Sequence, residues 1–211
     1  MKIHYDIKQH SPEWYALKVG KPSTSNFHRM MANKPNTKFI GDSVHTYALE
    51  LALERYTGEI TETPDMKAMK RGTRLEPKAR EYYIENTFRK IIEIGGIDNY
   101  GCFCSTDGIE VSNTNDRMLE IKCHDKKIHF EYLQHPDKFL NDHKWQLQGE
   151  LFVSERKYVD LVGYHPKFRD KQIILTVERD EKLQIEIQNR VSKFLPLIDE
   201  KLEIIKNTKA P

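Results

Sequence analysis

The sequence predicts an α/β (α+β) fold, a central mixed β-sheet flanked by helices. Three observations carry that expectation. Apolar residues recur at three- and four-residue steps toward both ends of the chain, which is the helical period. The middle changes to period two, in short apolar segments bounded by Gly, Asn, Asp and Ser. One more helical stretch then separates the last strands from the earlier ones. At 211 residues the chain suits a single domain spanning residues 1–211, long enough to bury a core without staples. Within it, a helical N-terminal part over about residues 1–64 packs on the core, and a C-terminal helix covers about residues 179–207.

Taken in order, Ser11-Pro12-Glu13-Trp14 starts a helix, with Ser11 as N-cap and Pro12 at the first helical position, and Gly20 and Pro22 end it. Residues 23–32 form a short helix with Phe27, Met30 and Met31 on one side. Residues 33–41 are a polar loop around Pro35. Asp42 or Ser43 caps a longer helix to about Tyr56, stopped by Gly58. Residues 65–86 are helical again, with Ala68, Gly72, Leu75, Ala79, Tyr82 and Tyr83 near helical spacing. Pro77 is expected to kink or restart that helix, because it lacks an N–H and biases Glu76 away from the α region. Residues 91–94 make a short strand before Gly95-Gly96. Residues 100–111 and 118–123 make two strands joined by a turn at residues 112–116. A helix over residues 138–154 and strands over residues 157–164 and 172–177 follow. The C-terminal helix carries Leu183, Ile187, Val191, Phe194, Ile198, Leu202 and Ile205 in one stripe, with an interruption expected at Pro196.

Composition excludes several classes. The mean hydropathy is −0.72, but ten Tyr and nine Phe argue against disorder. No apolar run approaches the roughly 20 residues of a membrane span, and the first six residues lack the apolar core of a secretory signal. Three cysteines cannot form a full disulfide framework, which points to the reducing cytoplasm. The formal net charge is only +2, yet it is unevenly spread. Residues 1–40 carry a net +5 and residues 61–90 a net +3, while residues 41–60 carry −3 and residues 91–135 carry −4. Acid set among base suits a metal site facing a phosphate backbone, and scattered surface charge gives the same counts.

The densest chemistry lies in Ser105-Thr106-Asp107-Gly108 and Leu119-Glu120-Ile121-Lys122. Alternation along a strand puts Glu120 and Lys122 on one face and turns Ile121 into the core. If the two strands pair around residues 112–116, Asp107 lies beside Glu120. Two carboxylates and the Ile121 carbonyl would then hold Mg²⁺ through oxygen. The Lys122 ammonium would sit near the bound water or the scissile phosphate, the arrangement that phosphodiester hydrolysis needs. An acid-x-lysine triplet occurs nine times in the chain, so the motif alone equally describes an exposed cross-strand salt bridge. The Glu120 copy differs in lying in an apolar strand.

Glu76 follows Arg71 and Arg74 beside the expected kink. There its carboxylate can complete a metal shell while the bases meet phosphates, or all three can form a solvated helix face. Gln146 and Gln148 cannot share one helix face, so one can approach the site while the other packs elsewhere. Lys18 with Ser23-Thr24-Ser25 at a helix start makes either a phosphate pocket or a plain N-cap. The nine His show no zinc-like spacing, and His124 reads as lying behind the site or at the surface. Cys102, Cys104 and Cys123 read as packing residues. The chain has no Walker loop, Gly-rich dinucleotide loop or Gly-x-Ser-x-Gly.

In chain order the pieces are Trp14-x3-Lys18-x-Gly20, Ser23-Thr24-Ser25, Arg71-Gly72-x3-Glu76, Ser105-x-Asp107-Gly108, Glu120-Ile121-Lys122 and Gln146-x-Gln148. Together they resemble the lambda exonuclease or YqaJ-like viral recombinase family of the PD-(D/E)XK nuclease superfamily. The likeness runs from about Ser11 to the C-terminal helix. It implies a restriction-endonuclease-like core and a phage-type, Mg²⁺-dependent 5′-to-3′ exonuclease, with Mn²⁺ as a substitute metal. Such an enzyme digests one strand of double-stranded DNA from its ends, beside a single-strand annealing protein, in the host cytoplasm. The family's best-known member is a homotrimeric ring.

The resemblance makes Asp107, Glu120 and the Ile121 carbonyl metal ligands, Glu76 the helix carboxylate near the metals, Lys122 the catalytic lysine and Gln146 the active-site glutamine. It sets Lys18, Ser25 and Ser105 at the terminal 5′-phosphate, with Arg71 and Arg74 on the DNA. Two departures stand out. The best-known member has Arg where this chain has Lys18, which turns a bidentate phosphate grip into a point charge. The link between Asp107 and Glu120 is also a few residues longer. Rival readings are a site-specific endonuclease or a RecB-type nuclease of the same superfamily, and a non-catalytic DNA-end-binding module. Three cysteines fall short of the four an iron–sulfur cluster takes, and the intact Asp107, Glu120 and Lys122 argue against a non-catalytic module.

Overall fold

The computed structural model describes residues 1–33, 41–61, 66–112, 114 and 116–209, with backbone alone at residues 66–69. Most of the expected polar loop at residues 33–41 therefore lies outside the described residues, as do Asp65 and positions Asn113 and Asn115 of the expected turn.

The chain runs β1 (Lys2–His4), α1 (Pro12–Lys18), a 3₁₀ turn (Thr24–Asn26), α2 (Phe27–Met30), α3 (Asp42–Thr57) and α4 (Met66–Thr87). Next come β2 (Ile91–Ile92), β3 (Gly96–Asn99), β4 (Cys102–Cys104), β5 (Gly108–Glu110) and β6 (Arg117–Lys122). The last elements are α5 (Lys126–Gln134), α6 (Pro136–Ser154), β7 (Tyr158–Gly163), β8 (Ile173–Glu178) and α7 (Glu181–Asn207). Local signals explain several boundaries. Ser11 Oγ accepts from the Trp14 N–H and Pro12 opens α1, as expected. Asp125 and Asp180 cap α5 and α7 through their carboxylates. The N-cap of α3 is Gly41 rather than Asp42 or Ser43, and Gly58 closes that helix in the left-handed region at φ 77°.

The strands form two sheets. A three-stranded antiparallel sheet has the order β1-β3-β4, and a five-stranded mixed sheet has the order β2-β5-β6-β7-β8. In the larger sheet only β6 and β7 are parallel, connected through α5 and α6. This is the mixed sheet flanked by helices that the sequence predicts. The single strand expected at residues 100–111 is corrected to two strands in different sheets. The chain changes sheets at Thr106, which is fully buried and whose hydroxyl donates to the Leu119 carbonyl at 2.8 Å. The strand expected at residues 91–94 shortens to β2.

Neither proline breaks its helix. α4 runs through Pro77 and α7 through Pro196. Each removes one backbone bond and costs about 3 kcal/mol in an isolated helix. Both lie on exposed sides, where the freed carbonyls of Thr73 and Ser192 can turn to water. The buried faces hold each helix together: Leu75, Ala79 and Tyr83 on α4, and Val191, Phe194 and Ile198 on α7.

The core has two layers. Phe27, Tyr47, Leu51, Met118, Leu147 and Phe194 belong to a large cluster that gathers the N-terminal helices, α6 and α7 on one side of the large sheet. Leu75, Ala79 and Tyr83 of α4 pack with Leu119, Ile121 and Val162 on the other. Alternation along β6 thus sends Met118, Glu120 and Lys122 toward α6, and Leu119 and Ile121 toward α4. α6 comes very close to the N-terminal part at Gly149, where a Cβ would stand 2.4 Å from the Phe27 ring. That contact fixes the helix that carries Gln146.

Candidate active site

Gly108 of β5 pairs with Leu119 of β6, which puts Asp107 opposite Glu120. Asp107 is held at both ends. Its N–H donates to the Leu119 carbonyl at 3.0 Å, and its Oδ2 accepts from the Ile121 N–H at 2.6 Å. Arg80 of α4 donates through Nε to the Asp107 carbonyl at 3.1 Å. The pairing around residues 112–116 therefore brings the two carboxylates together as the sequence implied.

On the face toward α6, Lys122 Nζ stands 2.8 Å from Glu120 Oε1 and donates to Gln146 Oε1 at 2.8 Å. Gln146 Nε2 donates to Glu120 Oε1 at 2.6 Å and to Glu150 Oε1 at 3.0 Å. Glu120 is 4% exposed and Glu150 is 0% exposed. The second carboxylate oxygen of each, Oε2, is buried with no hydrogen-bond partner. Gln148 faces away: its Nε2 donates to the Glu178 carbonyl at 2.8 Å, and its Oε1 accepts from the Asp180 N–H at 3.1 Å. The helical-face argument separates the two glutamines correctly.

The cluster holds more acid than base. Burial first, then the charges of Glu120 and Glu76, push the Asp107 carboxyl well above its ordinary pKa, against the Ile121 N–H. Burial and the Glu120 charge do the same to Glu150. Glu76 also rises, by burial chiefly, with Arg80 opposing and Glu120 assisting. Burial works against the Lys122 ammonium, but Glu120, Asp107 and Glu150 outweigh it and raise its pKa. Buried Glu120 and Glu150 and half-buried Asp107 and Glu76 gather around one ammonium, and with two carboxylate oxygens unpartnered they form a hard-oxygen site that fits a divalent cation such as Mg²⁺ or Mn²⁺.

Among the described residues, no three Asp, Glu, His or Cys side chains are gathered as a ready metal-ligand cluster. Glu76 stands near enough to feel Glu120 and Lys122 without joining Asp107 and Glu120 in such a set. Mg²⁺ ordinarily takes only one or two carboxylates and fills its shell with water and substrate phosphate, so a site of this kind does not require three gathered side chains.

The expected phosphate contacts fall in two places. Arg71 donates through Nε to the Cys123 carbonyl at 2.9 Å, just beyond Lys122. Arg74 lies on the exposed side of α4. Ser23 bridges to Phe103, so the serine turn runs beside β4 and close to Ser105. Ser25 is exposed and its hydroxyl bonds to Ser23 Oγ at 2.8 Å, whereas Ser105 Oγ is buried without a partner. Lys18 ends α1 with its Nζ 4.7 Å from the centre of the Trp14 ring. Burial lowers its pKa against the pull of Glu54. No hydrogen bond among the described residues joins Lys18 to Ser25 or Ser105.

His124 lies behind the site against Tyr132 and Phe139, and burial with His143 and Lys122 nearby pushes it down to about 4. The three cysteines are buried, and burial pushes Cys102 and Cys123 up to about 12. Glu150 and Arg80 escaped the sequence reading. Glu150 had a usable signal: it follows Gln146 by one helical turn and directly precedes the apolar run Leu151-Phe152-Val153.

Solved structures share this fold. The alkaline exonuclease LHK-Exo from Laribacter hongkongensis matches at 32% identity and a TM-score of 0.80, over 93% of this chain and 96% of that one. LHK-Exo in complex with dAMP matches at 31% identity with the same TM-score and coverage. A phage-related exonuclease from Haemophilus somnus 129PT shares the fold at 16% identity and a TM-score of 0.72, over 88% of this chain and 96% of that one. No curated protein matches the sequence. The mixed sheet that presents Asp107 and Glu120-x-Lys122 is a PD-(D/E)XK core. The profile of the YqaJ-like viral recombinase domain covers residues 13–157, and with these likenesses it places the chain in the YqaJ-like viral recombinase family.

Proposed function

We propose that this nuclease is an Mg²⁺-dependent exonuclease that digests one strand of linear double-stranded DNA from its 5′ end in phage-type recombination. One observation carries the reading. Gln146 ties the buried Glu120 to the half-buried Lys122, Asp107 stands opposite Glu120 on the Ile121 N–H, and Glu120 Oε2 is left without a partner. The related alkaline exonuclease has been crystallised with dAMP, a mononucleotide of the kind that terminal hydrolysis releases.

Asp107, Glu120 and the Ile121 carbonyl would hold the divalent cation, with Mn²⁺ as a substitute for Mg²⁺. Once bound, that cation neutralises charge at the scissile phosphate and lowers the pKa of water. The chain's own groups do the rest. Lys122 stays cationic because the surrounding acids raise its pKa, and it would orient the attacking water and meet the developing phosphate charge. Gln146 fixes that ammonium against Glu120. Glu76 adds negative charge from the α4 side. Arg71 and Arg74 would meet DNA phosphates, and Lys18, Ser25 and Ser105 would take the terminal 5′-phosphate, for which the Ser105 hydroxyl is unengaged.

The same reading includes a single-strand annealing protein as partner, a homotrimeric ring and a place of action in the host cytoplasm. No helix among the described residues is long and apolar enough to cross a membrane.

A time course on linear duplex bearing 5′-phosphate or 5′-hydroxyl, with and without Mg²⁺, tests the proposal. Linear duplex should be lost only with Mg²⁺, and faster from the 5′-phosphate. Covalently closed plasmid should survive. Cleavage of the plasmid would make the protein an endonuclease of the same superfamily instead.

A further inference from the structure

β6 and β7 are parallel, so the chain leaves both at the same end of the sheet. Lys122 ends β6, and the loop at residues 164–172 follows β7. Five exposed cations gather there: Lys126 and Lys127 in the first turn of α5, and Lys167, Arg169 and Lys171 on the loop. None of the five has an ion-pair partner among the described residues. Elsewhere Arg29, Arg55, Arg80, Arg89 and Arg117 each hold a carboxylate. Nearby acids do not balance the five. Asp125 caps α5 by accepting from the Lys127 and Ile128 N–H groups, and Glu131 faces Lys138 at 3.8 Å. Two lysines at the positive end of a helix oppose its dipole. A local conflict of that kind marks a surface kept for another purpose.

The loop is continuous with the site. Its His165 is held low by burial first, and by the nearby charges of Lys126 and Arg71 among others. Arg71 in turn is bonded to the Cys123 carbonyl beside Lys122. Between loop and helix runs a groove of about 520 Å³, lined by Phe130, Leu133, Phe168, Lys167, Arg169 and Lys171. Asp170 is the one acid that lines it among the described residues. Phe168 packs on His129 with ring centres 4.7 Å apart, so it is held, whereas Phe130 is 51% exposed.

We propose that this groove binds single-stranded DNA, the strand left when its complement is digested. Phe130 stacks on an unpaired base, Lys167, Arg169 and Lys171 meet the phosphates, and Lys126 and Lys127 lead the strand away from the site. A single strand is the occupant because a duplex buries its base faces, while an exposed ring in a basic groove matches unstacked bases. The origin of the strand rests on the exonuclease reading; the binding does not.

Fluorescence anisotropy in EDTA, where nothing is hydrolysed, tests it with two probes: a labelled oligothymidine and a hairpin duplex closed at both ends. Phe130→Ala should weaken oligothymidine binding by about 5- to 150-fold, the range for one lost stack, and leave the hairpin unaffected. Reversing Lys167, Arg169 and Lys171 to Glu should reduce the slope of log affinity against log salt by about 2. Unchanged oligothymidine affinity in both variants overturns the proposal. So does an equal loss on the hairpin, which would make this a duplex contact. A changed oligomeric size with oligothymidine binding intact would make it a protein interface. Digestion of linear duplex by the wild-type protein with Mg²⁺ is scored separately. If that fails while Phe130→Ala still loses oligothymidine, the exonuclease reading falls and the groove stands.

Discussion

The side-chain amide of Gln146 joins Glu120 to Lys122: Nε2 donates to Glu120 Oε1 at 2.6 Å, and Oε1 accepts from Lys122 Nζ at 2.8 Å. Both donors use the same Glu120 oxygen, which leaves Oε2 without a partner. Gln146→Ala removes the spacer and frees the ammonium to turn. Turnover on linear duplex should fall about 10- to 100-fold, the usual loss when a group orienting a ligand is removed, with KM little changed. A rise in KM at unchanged kcat would show instead that Gln146 only holds substrate.

Among the described residues Lys122 is the one ammonium within the carboxylate cluster, so Lys122→Ala removes both the orienting cation and the internal counter-charge. Digestion should drop by at least about 10²-fold, while anisotropy on a closed hairpin stays near wild type. The acids left behind repel one another, so the melting temperature in EDTA should fall and largely recover with Mg²⁺. Wild-type digestion by this variant would remove Lys122 from the mechanism.

Glu150 is fully buried, with Oε1 taken by Gln146 and Oε2 unpartnered. Glu150→Gln keeps an oxygen for Gln146 and removes an ionisable group beside Glu120. An unsatisfied buried group costs about 1–3 kcal/mol, and each kcal/mol is about 2–4 °C in a chain this size. The variant should therefore melt a few degrees higher in EDTA at mildly alkaline pH, and need more Mg²⁺ for half-maximal activity. A lower melting point would mean that Glu150 is already well satisfied.

Local chemistry was legible in the sequence and long-range chemistry was not. Ser11-Pro12 announces α1 within four residues, and period-two alternation alone puts Glu120 and Lys122 on one face. The face argument separates Gln146 from Gln148 with no tertiary information. By contrast, the sheet change at Thr106 depends on the Leu119 carbonyl, thirteen residues away. The uninterrupted helices at Pro77 and Pro196 depend on apolar faces that local propensity does not weigh. β1 consists of three residues and is a strand only because Ile97 pairs with Ile3. α5 opens on Asp-Lys-Lys, which carries no apolar period, and its pattern emerges only through Ile128 and Tyr132.

Asp160 lay hidden for the same reason. It is 2% exposed on β7 and accepts from Tyr83 at 2.5 Å, Thr176 at 2.6 Å and Arg117. These partners come from α4, β8 and β6, so the residue ties three elements together. Asp160→Ala would leave the Tyr83 hydroxyl unpaired and Arg117 without its carboxylate, with only the 3.3 Å contact to Thr176 Oγ1 left to it. Breaking a buried pair in this way costs about 3–5 kcal/mol, a fall of roughly 6–20 °C in melting temperature. A loss under 2 °C would show that water replaces the carboxylate without strain.

Asp107 and Glu150 both titrate above their ordinary values of 3.8 and 4.5. In the unfolded chain they lose protons as pH passes those values, whereas the folded, metal-free chain keeps them longer. Over that window the folded state binds more protons, so the contribution of these two groups to stability is full below about pH 4 and declines as pH rises toward the raised folded values. A divalent cation favours the ionised carboxylates and works against the decline. The rise in melting temperature caused by Mg²⁺ should therefore be larger at pH 8 than at pH 5. Asp107→Asn cannot ionise at this position, so it should flatten that difference while still folding. Thermal scans of both proteins in EDTA and in Mg²⁺ at the two pH values decide it. An equal Mg²⁺ effect at both pH values in the wild type, or an undiminished difference in Asp107→Asn, would place the cation away from Asp107.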